Sequence, residues 1–518
     1  MRRELLLVFV AATALYLPTA RYGFVQDDRA IIAANPAAHS IGSGVAAFDD
    51  PYWPRETGAG LYRPVTILSY AVDWTISGGR VGWLHLMNAL WHGLVTVLLV
   101  AVLARWLPAL AAAGAGLVFA WHPVHVEAVA SLVGRAELLA AAGILGAVLA
   151  ARRGWWAGAV VCAALAMFSK EHGVIAGVVI LLDRWLQPHP LSPSPSGRGG
   201  TDGRYPVGLW IGLAVVTAGY LVAWLAIGWV GSADAAAAFY GNGTLGRWAI
   251  AFPAALRAAT LLVWPVSLSA DYSPQVLPAR SGVSIAALLG LFVVVGMPAL
   301  AIWCRRRAPA ISFGAGLAAL SCLPTANIFF PSGVVLAERN LYLAVALPAA
   351  IVGTFAVWVA LRRGFRPGVV MTALIGIVFG GLSLSRLPAW RDNRSQLLTL
   401  LADHPESYRA HGSAAAVLAG LGDTAGARRE YWLADSLFSG DPYLDASRAI
   451  FLIGIGDTAT AVPLVERAKA SGIGRRATLH ARFLLQLARG DRAGAAALAD
   501  SAGREYAGEE VWYRTYRQ

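Results

Sequence analysis

Five stretches of this chain, at about 86–104, 207–230, 282–303, 341–361 and 368–386, run for close to twenty residues with almost no charge. That is the length of helix needed to cross the hydrocarbon core of a bilayer. A segment surrounded by lipid has to satisfy its own backbone hydrogen bonds, so the expected fold is all-α and polytopic. Shorter apolar runs at about 5–20, 109–122, 136–151, 155–169, 173–183 and 310–326 bring the expected number of spans to about eleven. Composition agrees, since 57% of the 518 residues are hydrophobic and 14% charged, against roughly 45–50% and about 25% in soluble domains. The net charge of +12 comes from short arginine clusters between apolar runs, not from one amphipathic face, so it marks topology and not a nucleic-acid surface. Cys162, Cys304 and Cys322 sit in or beside apolar runs and define no disulfide framework or metal motif.

Basic residues accumulate on the cytoplasmic side of membrane helices. Arg2-Arg3, Arg105, Arg152-Arg153, Arg305-Arg306-Arg307 and Arg362-Arg363 are therefore placed inside, in a bacterial-type inner membrane. No small-residue cleavage site follows the first run, Leu5 to Leu17, so it reads as a retained helix with a cytoplasmic N-terminus, in preference to a signal peptide. Alternation puts the loop 21–84, the segments near 122–136, 169–172 and 327–340, and everything after about 387 outside. The parity requires that 248–268, which carries Arg257 and two prolines, lie at the outer interface without crossing. Residues 187–204 form a Pro/Ser/Gly-rich cytoplasmic linker that cannot bury a core.

After Trp390 the pattern changes, dividing the chain into a membrane part, 1–387, and a soluble tail, 388–518. Gly-Asp pairs recur 34 residues apart at Gly422-Asp423, Gly456-Asp457 and Gly490-Asp491. Alanines keep the same register at Ala427, Ala461 and Ala495, and at Ala434, Ala468 and Ala502. This period and register resemble the tetratricopeptide repeat, with Pro405 where a preceding half-repeat would close. Such repeats stack into a short α-solenoid whose concave face holds extended peptides or another protein.

The residues able to carry chemistry gather, by the same parity, on the outer side. Asp27 and Asp28 follow the first membrane helix, a costly place for carboxylates and so a candidate site; the plainer reading has Asp28 capping the helix that begins near Ala30. His122, His125 and Glu127 form either a polar cluster or a metal site, although Pro123 breaks the spacing and no further strong ligand is evident. Arg63, Arg135, Lys170 and Arg339, with Glu137, Glu171 and Glu338 nearby, offer cations at the membrane surface. Arginine suits bidentate phosphate recognition and lysine acts as a point charge, while the bland alternative is snorkelling to the interface. The ionisable residues lie at helix ends and on one side, which favours an enzyme over a transporter, whose charges would sit near the midplane. A non-catalytic assembly scaffold is the other alternative.

Taken in order, Asp27-Asp28 with Asn35-Pro36, Tyr62-Arg63-Pro64, His85-Leu86-Met87-Asn88 with His92, His122-Pro123 with His125 and Glu127, Gly134-Arg135, Ser169-Lys170-Glu171, Ser269-Ala270-Asp271-Tyr272-Ser273 and Glu338-Arg339-Asn340-Leu341-Tyr342 resemble the transmembrane-and-tetratricopeptide-repeat O-mannosyltransferases, members of the GT-C class of polytopic glycosyltransferases. The tail holds only about three repeats, Glu137 stands where aspartate is expected, and Asn340 where an aromatic is common. The resemblance implies an inverting transfer of a sugar, a hexose such as mannose, from a polyprenyl-phosphate donor to a hydroxyl of an exported protein held by the repeats. A lipid or cell-envelope glycan is the alternative acceptor. Transfer to a hydroxyl needs a base, with Asp28 expected in that role and Asp27 orienting it. The departing phosphate needs preorganised cations, expected to be Arg339 first and then Lys170, Arg135 and Arg63. No metal or other cofactor is expected.

Overall fold

The computed structural model describes residues 2–55, 60–187, 205–228, 235–277 and 284–505, and among these all regular structure is helical. Among the described residues seven helices are long and apolar enough to cross a membrane: Arg2–Arg21, Val81–Leu103, Leu132–Arg152, Val207–Ile227, Ile285–Cys304, Leu343–Arg363 and Phe365–Trp390. The remaining four apolar runs also fold as helices, but shorter ones, Ala109–Ala120, Trp156–Ser169 and Pro309–Thr325 and Ala176–Trp185. Trp156–Ser169 has 14 residues, which at 1.5 Å per residue reaches about 21 Å, short of a roughly 30 Å hydrocarbon core. The expected figure of about eleven spans thus resolves into seven full-length helices and four short ones. Two of the interruptions fall at motifs singled out for chemistry. Trp121-His122-Pro123 follows Ala109–Ala120, and Lys170-Glu171 separates Trp156–Ser169 from Ala176–Trp185.

Helix Val81–Leu103 buries Leu84, His85, Asn88, His92, Thr96 and Leu99, mostly at steps of three and four that define one inward face. Leu132–Arg152 is buried nearly all round. Gly143 lets it approach Trp156–Ser169, because a Cβ there would meet the Cys162 carbonyl oxygen at 2.6 Å. Val207–Ile227 and Ile285–Cys304 instead expose Val207, Ile211, Val215, Phe292 and Val295, the apolar outer faces of a bundle whose solvent is lipid. The molecule is an integral, multi-pass membrane protein.

The stretch expected at the interface, 248–268, falls largely in helix Thr244–Val263, which is not one of the seven. It lies against Ile285–Cys304 so closely that a Cβ on Gly290 would overlap the Phe252 carbonyl oxygen at 1.8 Å. The linker expected at 187–204 lies outside the described residues beyond Gln187, as does the end of the tail from 506 onward.

In the tail, helices Asn393–Asp403, Tyr408–Gly420, Thr424–Leu437, Pro442–Gly454, Thr458–Ser471, Arg475–Ala488 and Arg492–Glu505 follow one another through short turns. The Gly-Asp period has a local cause. Gly422, Gly456 and Gly490 adopt φ of 82°, 82° and 78°, the left-handed region that a side chain resists. Asp423, Asp457 and Asp491 then cap the next helix, accepting the amides of Gly426, Thr460 and Gly494. All six in-register alanines are buried.

Candidate active site

The loop that leaves the first membrane helix is tied down on both sides before it presents its acids. The Gly23 amide donates to the Arg391 carbonyl at 2.9 Å, and the Gln26 amide to Asn393 Oδ1 at 2.7 Å. Gln26 itself takes φ of 47°, a conformation uncommon for a residue with a side chain. Asp28 Oδ2 accepts the Val25 amide at 3.0 Å and Oδ1 the Val133 amide at 2.9 Å. Asp28 is fully buried, and burial pushes its carboxyl up to about 7 although both amides pull it the other way. Asp27 is half-buried and lies within electrostatic reach of Arg339. The expected division of labour made Asp28 the base and Asp27 its orienting neighbour. Asp28 is clamped and closed off, whereas Asp27 is the reachable carboxylate.

Four further stretches bring charges to the same place. Arg63, at the start of helix Pro64–Ser77, forks onto Glu171 with contacts of 2.9, 3.2 and 2.8 Å, and its guanidinium lies 4.8 Å above the Tyr52 ring. Glu171 lowers the proton affinity it would otherwise gain from burial by facing Arg63, and its carboxyl sits below the usual range. Lys170 donates to Glu137 and, at 3.1 Å, to Asn340 Oδ1; burial depresses its ammonium against the support of Glu137. His172 Nε2 stands 3.6 Å from the same glutamate. The Arg339 amide donates to Glu127 Oε2 at 3.0 Å, while its guanidinium is held only loosely, 3.5 Å from Glu127 Oε1, and stays 25% exposed. Asp27, Glu127 and the cations around them thus converge at one end of the bundle, the end where helix Arg135–Arg152 begins, with Arg152 at its far terminus.

Other expected members go elsewhere. Arg135 is fully buried, and its donors are taken by Asp73, by Asn88 Oδ1 at 2.7 Å and by the Leu84 carbonyl at 2.7 Å. The expectation that it meets a donor phosphate is therefore corrected: it fastens three helices together. Glu338 turns away from Arg339. Its Oε1 accepts the Ser269 amide at 2.6 Å and the Tyr272 hydroxyl at 2.8 Å, and burial raises its carboxyl to about 8. His122 Nε2 lies 3.2 Å from the Leu262 carbonyl and His125 Nε2 3.0 Å from that of Tyr342, so both histidines brace the chain behind Glu127. Among the described residues no three His, Cys, Asp or Glu side chains are grouped to hold a metal ion.

Sequence reasoning missed Asp73 and Tyr52, and placed His172 beside Lys170 and Glu171 without giving it a role. Asp73 carried a signal, being a lone carboxylate in an otherwise apolar helix, which demands a buried cation. Tyr52 carried none, because it belongs to the site only through the loop that returns it to Arg63.

A polytopic helical membrane protein with a convergent cluster of acids and cations at one end, one of its guanidinium groups loosely held, is the class that the fold and site define. Within that class the chain is similar to the protein O-mannosyl-transferases of the TMTC group. It is 26% identical over 450 residues to protein O-mannosyl-transferase F38B6.6 of Caenorhabditis elegans, a match covering 84% of this chain and 63% of that protein. A shorter region is 40% identical over 135 residues to Tmtc2 of Drosophila melanogaster, covering 25% of this chain and 14% of the relative. Against human TMTC3 it is 33% identical over 155 residues, or 29% and 17% of the two chains. The chain thus matches less than two thirds of the length of each of these relatives. No family model matches. Among solved structures, ArnT from Cupriavidus metallidurans bound to undecaprenyl phosphate aligns with 17% identity and a TM-score of 0.33 over 78% of this chain and 80% of that one.

Proposed function

We propose that this chain is a membrane glycosyltransferase that moves a hexose, such as mannose, from a polyprenyl-phosphate donor to a serine or threonine hydroxyl of an exported protein. The observation that carries this reading is Arg339, a guanidinium loosely paired with Glu127 and partly open, within reach of the half-buried Asp27. The names of the relatives supply the sugar and the protein acceptor.

In the reaction Asp27 takes the proton of the acceptor hydroxyl as its oxygen attacks the anomeric carbon. The bond from that carbon to the donor phosphate breaks, and the phosphate leaves with the bonding electrons. Attack opposite the leaving group inverts the anomeric centre. Arg339 and Arg63 meet the charge that develops on the phosphate, with Lys170 behind them, in a site where fixed cations need no reorganisation. Asp28 holds the loop so that Asp27 points into the site. The helix-pair tail, on the outer side with the acid pair, serves as a tetratricopeptide-like surface for the acceptor.

Transfer from a polyprenyl-phosphate sugar to a peptide by the purified protein tests the reading. Asp27→Asn should lower kcat by at least about a hundredfold, the usual worth of a positioned base, with folding intact. Arg339→Ala should cost about a hundredfold or more, as for other groups that stabilise developing charge. Wild-type turnover in Asp27→Asn would overturn the assignment of the base, and absence of transfer by the wild-type protein would overturn the function.

A further inference from the structure

The Tyr52 side chain is 3% exposed, yet its hydroxyl has no hydrogen-bond partner. The residue is not loosely placed. Its amide donates to the Leu61 carbonyl at 2.9 Å, and its ring packs edge-on to Trp53 and beneath the Arg63 guanidinium at 4.8 Å. Tyr70 lies beside it and the two hydroxyls feel each other, but the Tyr70 hydroxyl gives its proton to the Leu132 carbonyl 2.8 Å away, and the approach of the two tyrosines falls short of hydrogen-bond geometry. Asp27, Asp28, Arg63 and Arg339 all lie within electrostatic reach of the Tyr52 hydroxyl.

A buried hydroxyl left without a partner is destabilising, because the water it gave up is not replaced. Nothing in the packing requires this one, since phenylalanine would keep the same ring under the same guanidinium. An unpaired donor beside two arginines is what an incoming anion with several acceptor oxygens would complete. Arg63 cannot do so alone, since Glu171 already occupies its fork. We infer that Tyr52 is a phosphate-binding residue, donating its hydroxyl proton in a hydrogen bond to an oxygen of the phosphoryl group that Arg339 and Arg63 neutralise.

This inference rests on the proposed use of a polyprenyl-phosphate donor and adds a neutral donor to its cation set. The bond tightens as the phosphate leaves and its charge grows, so the residue acts on the donor and not on the acceptor. Kinetically, its loss should raise the KM for the donor and lower kcat, with the acceptor KM unmoved.

The probe is undecaprenyl phosphate binding to the detergent-solubilised full chain, with phosphate-free undecaprenol as the reference lipid. Tyr52→Phe should weaken undecaprenyl phosphate binding about tenfold to a hundredfold, the worth of a hydrogen bond to a charged group, and leave undecaprenol binding unchanged. Its melting temperature should equal or exceed that of wild type, because an unpaired buried hydroxyl is removed. Tyr16→Phe, a buried tyrosine on the first helix packed against His92, should bind both lipids as wild type does.

Wild-type undecaprenyl phosphate affinity in Tyr52→Phe overturns the inference and leaves the function standing. An equal loss for both lipids also overturns it, since the residue is then only a strut; the ratio of the two affinities decides even if the variant folds poorly. If wild type binds the two lipids alike, the donor reading itself fails, and this inference with it.

Discussion

Asp28 and its neighbour Asp27 differ by one backbone amide's worth of geometry, and that difference sets opposite responses to the same substitution. In Asp28→Asn one of two accepting oxygens becomes an NH2 that faces the Val25 or Val133 amide, a donor set against a donor. The protein should lose about 1–3 kcal/mol of stability, the cost of an unsatisfied buried group, seen as a lower melting temperature. Asp27→Asn should melt as wild type does. Glu338 gives the pH dependence. Its carboxyl rises from 4.5 to about 8 on folding, so the native state holds a proton that the unfolded chain has released, and stability falls as pH rises between these values. Asp28, raised from 3.8 to about 7, acts in the same direction. Glu338→Gln retains an acceptor for Ser269 and Tyr272 and should shrink the decline between about pH 5 and 8 in a thermal denaturation series, leaving the part that Asp28 contributes below about pH 7. None of this was legible in Asp-Asp as a dipeptide. The pair could be recognised as a site because charge beside a membrane helix is costly, but Val133 and Ser131, more than a hundred positions away, decide which of the two is buried.

Helices and turns were the most legible level, since their causes are local. The apolar runs became helices where the residues require it, and the Gly-Asp period became a left-handed turn followed by a capped helix three times over. Gly456→Ala places a Cβ at φ of 82° and should cost roughly 1–2 kcal/mol. Asp457→Ala, which leaves the Thr460 amide uncapped, should cost about 0.5–2 kcal/mol. Both are measurable by the tail's unfolding in denaturant. Length was less legible than helicity, because a membrane helix can be cut short by the residues that build the site. His122-Pro123 and Lys170-Glu171 end two short helices while contributing to the charged end of the bundle. Arg135 shows the same difficulty for partners. Its position at a helix start matched the other cations, and only its partners Asp73, Asn88 and the Leu84 carbonyl, on helices earlier in the chain, remove it from their company.

At the scale of the molecule the tail is joined to the membrane part at several points. Asp271 Oδ2 accepts from Ser407 Oγ at 2.7 Å, with Arg409 3.9 Å from Oδ1. Gln275 donates to the Leu437 carbonyl at 3.0 Å, and Arg386 pairs with Asp403 at 3.2 Å. Ser407 also caps helix Tyr408–Gly420 through the Ala410 amide. Ser407→Ala loses both bonds and should speed limited proteolysis between the last membrane helix and the first hairpin, with the membrane helices unaffected. The bonds from Gly23 to Arg391 and from Gln26 to Asn393 have a different consequence. The first residues of the tail form one wall of the loop that carries Asp27, so a protein cut at 390 loses a support of that loop as well as its repeats. Grafting this tail onto another membrane scaffold, or exchanging it for a longer repeat array, would have to preserve 391–393 as part of the recipient.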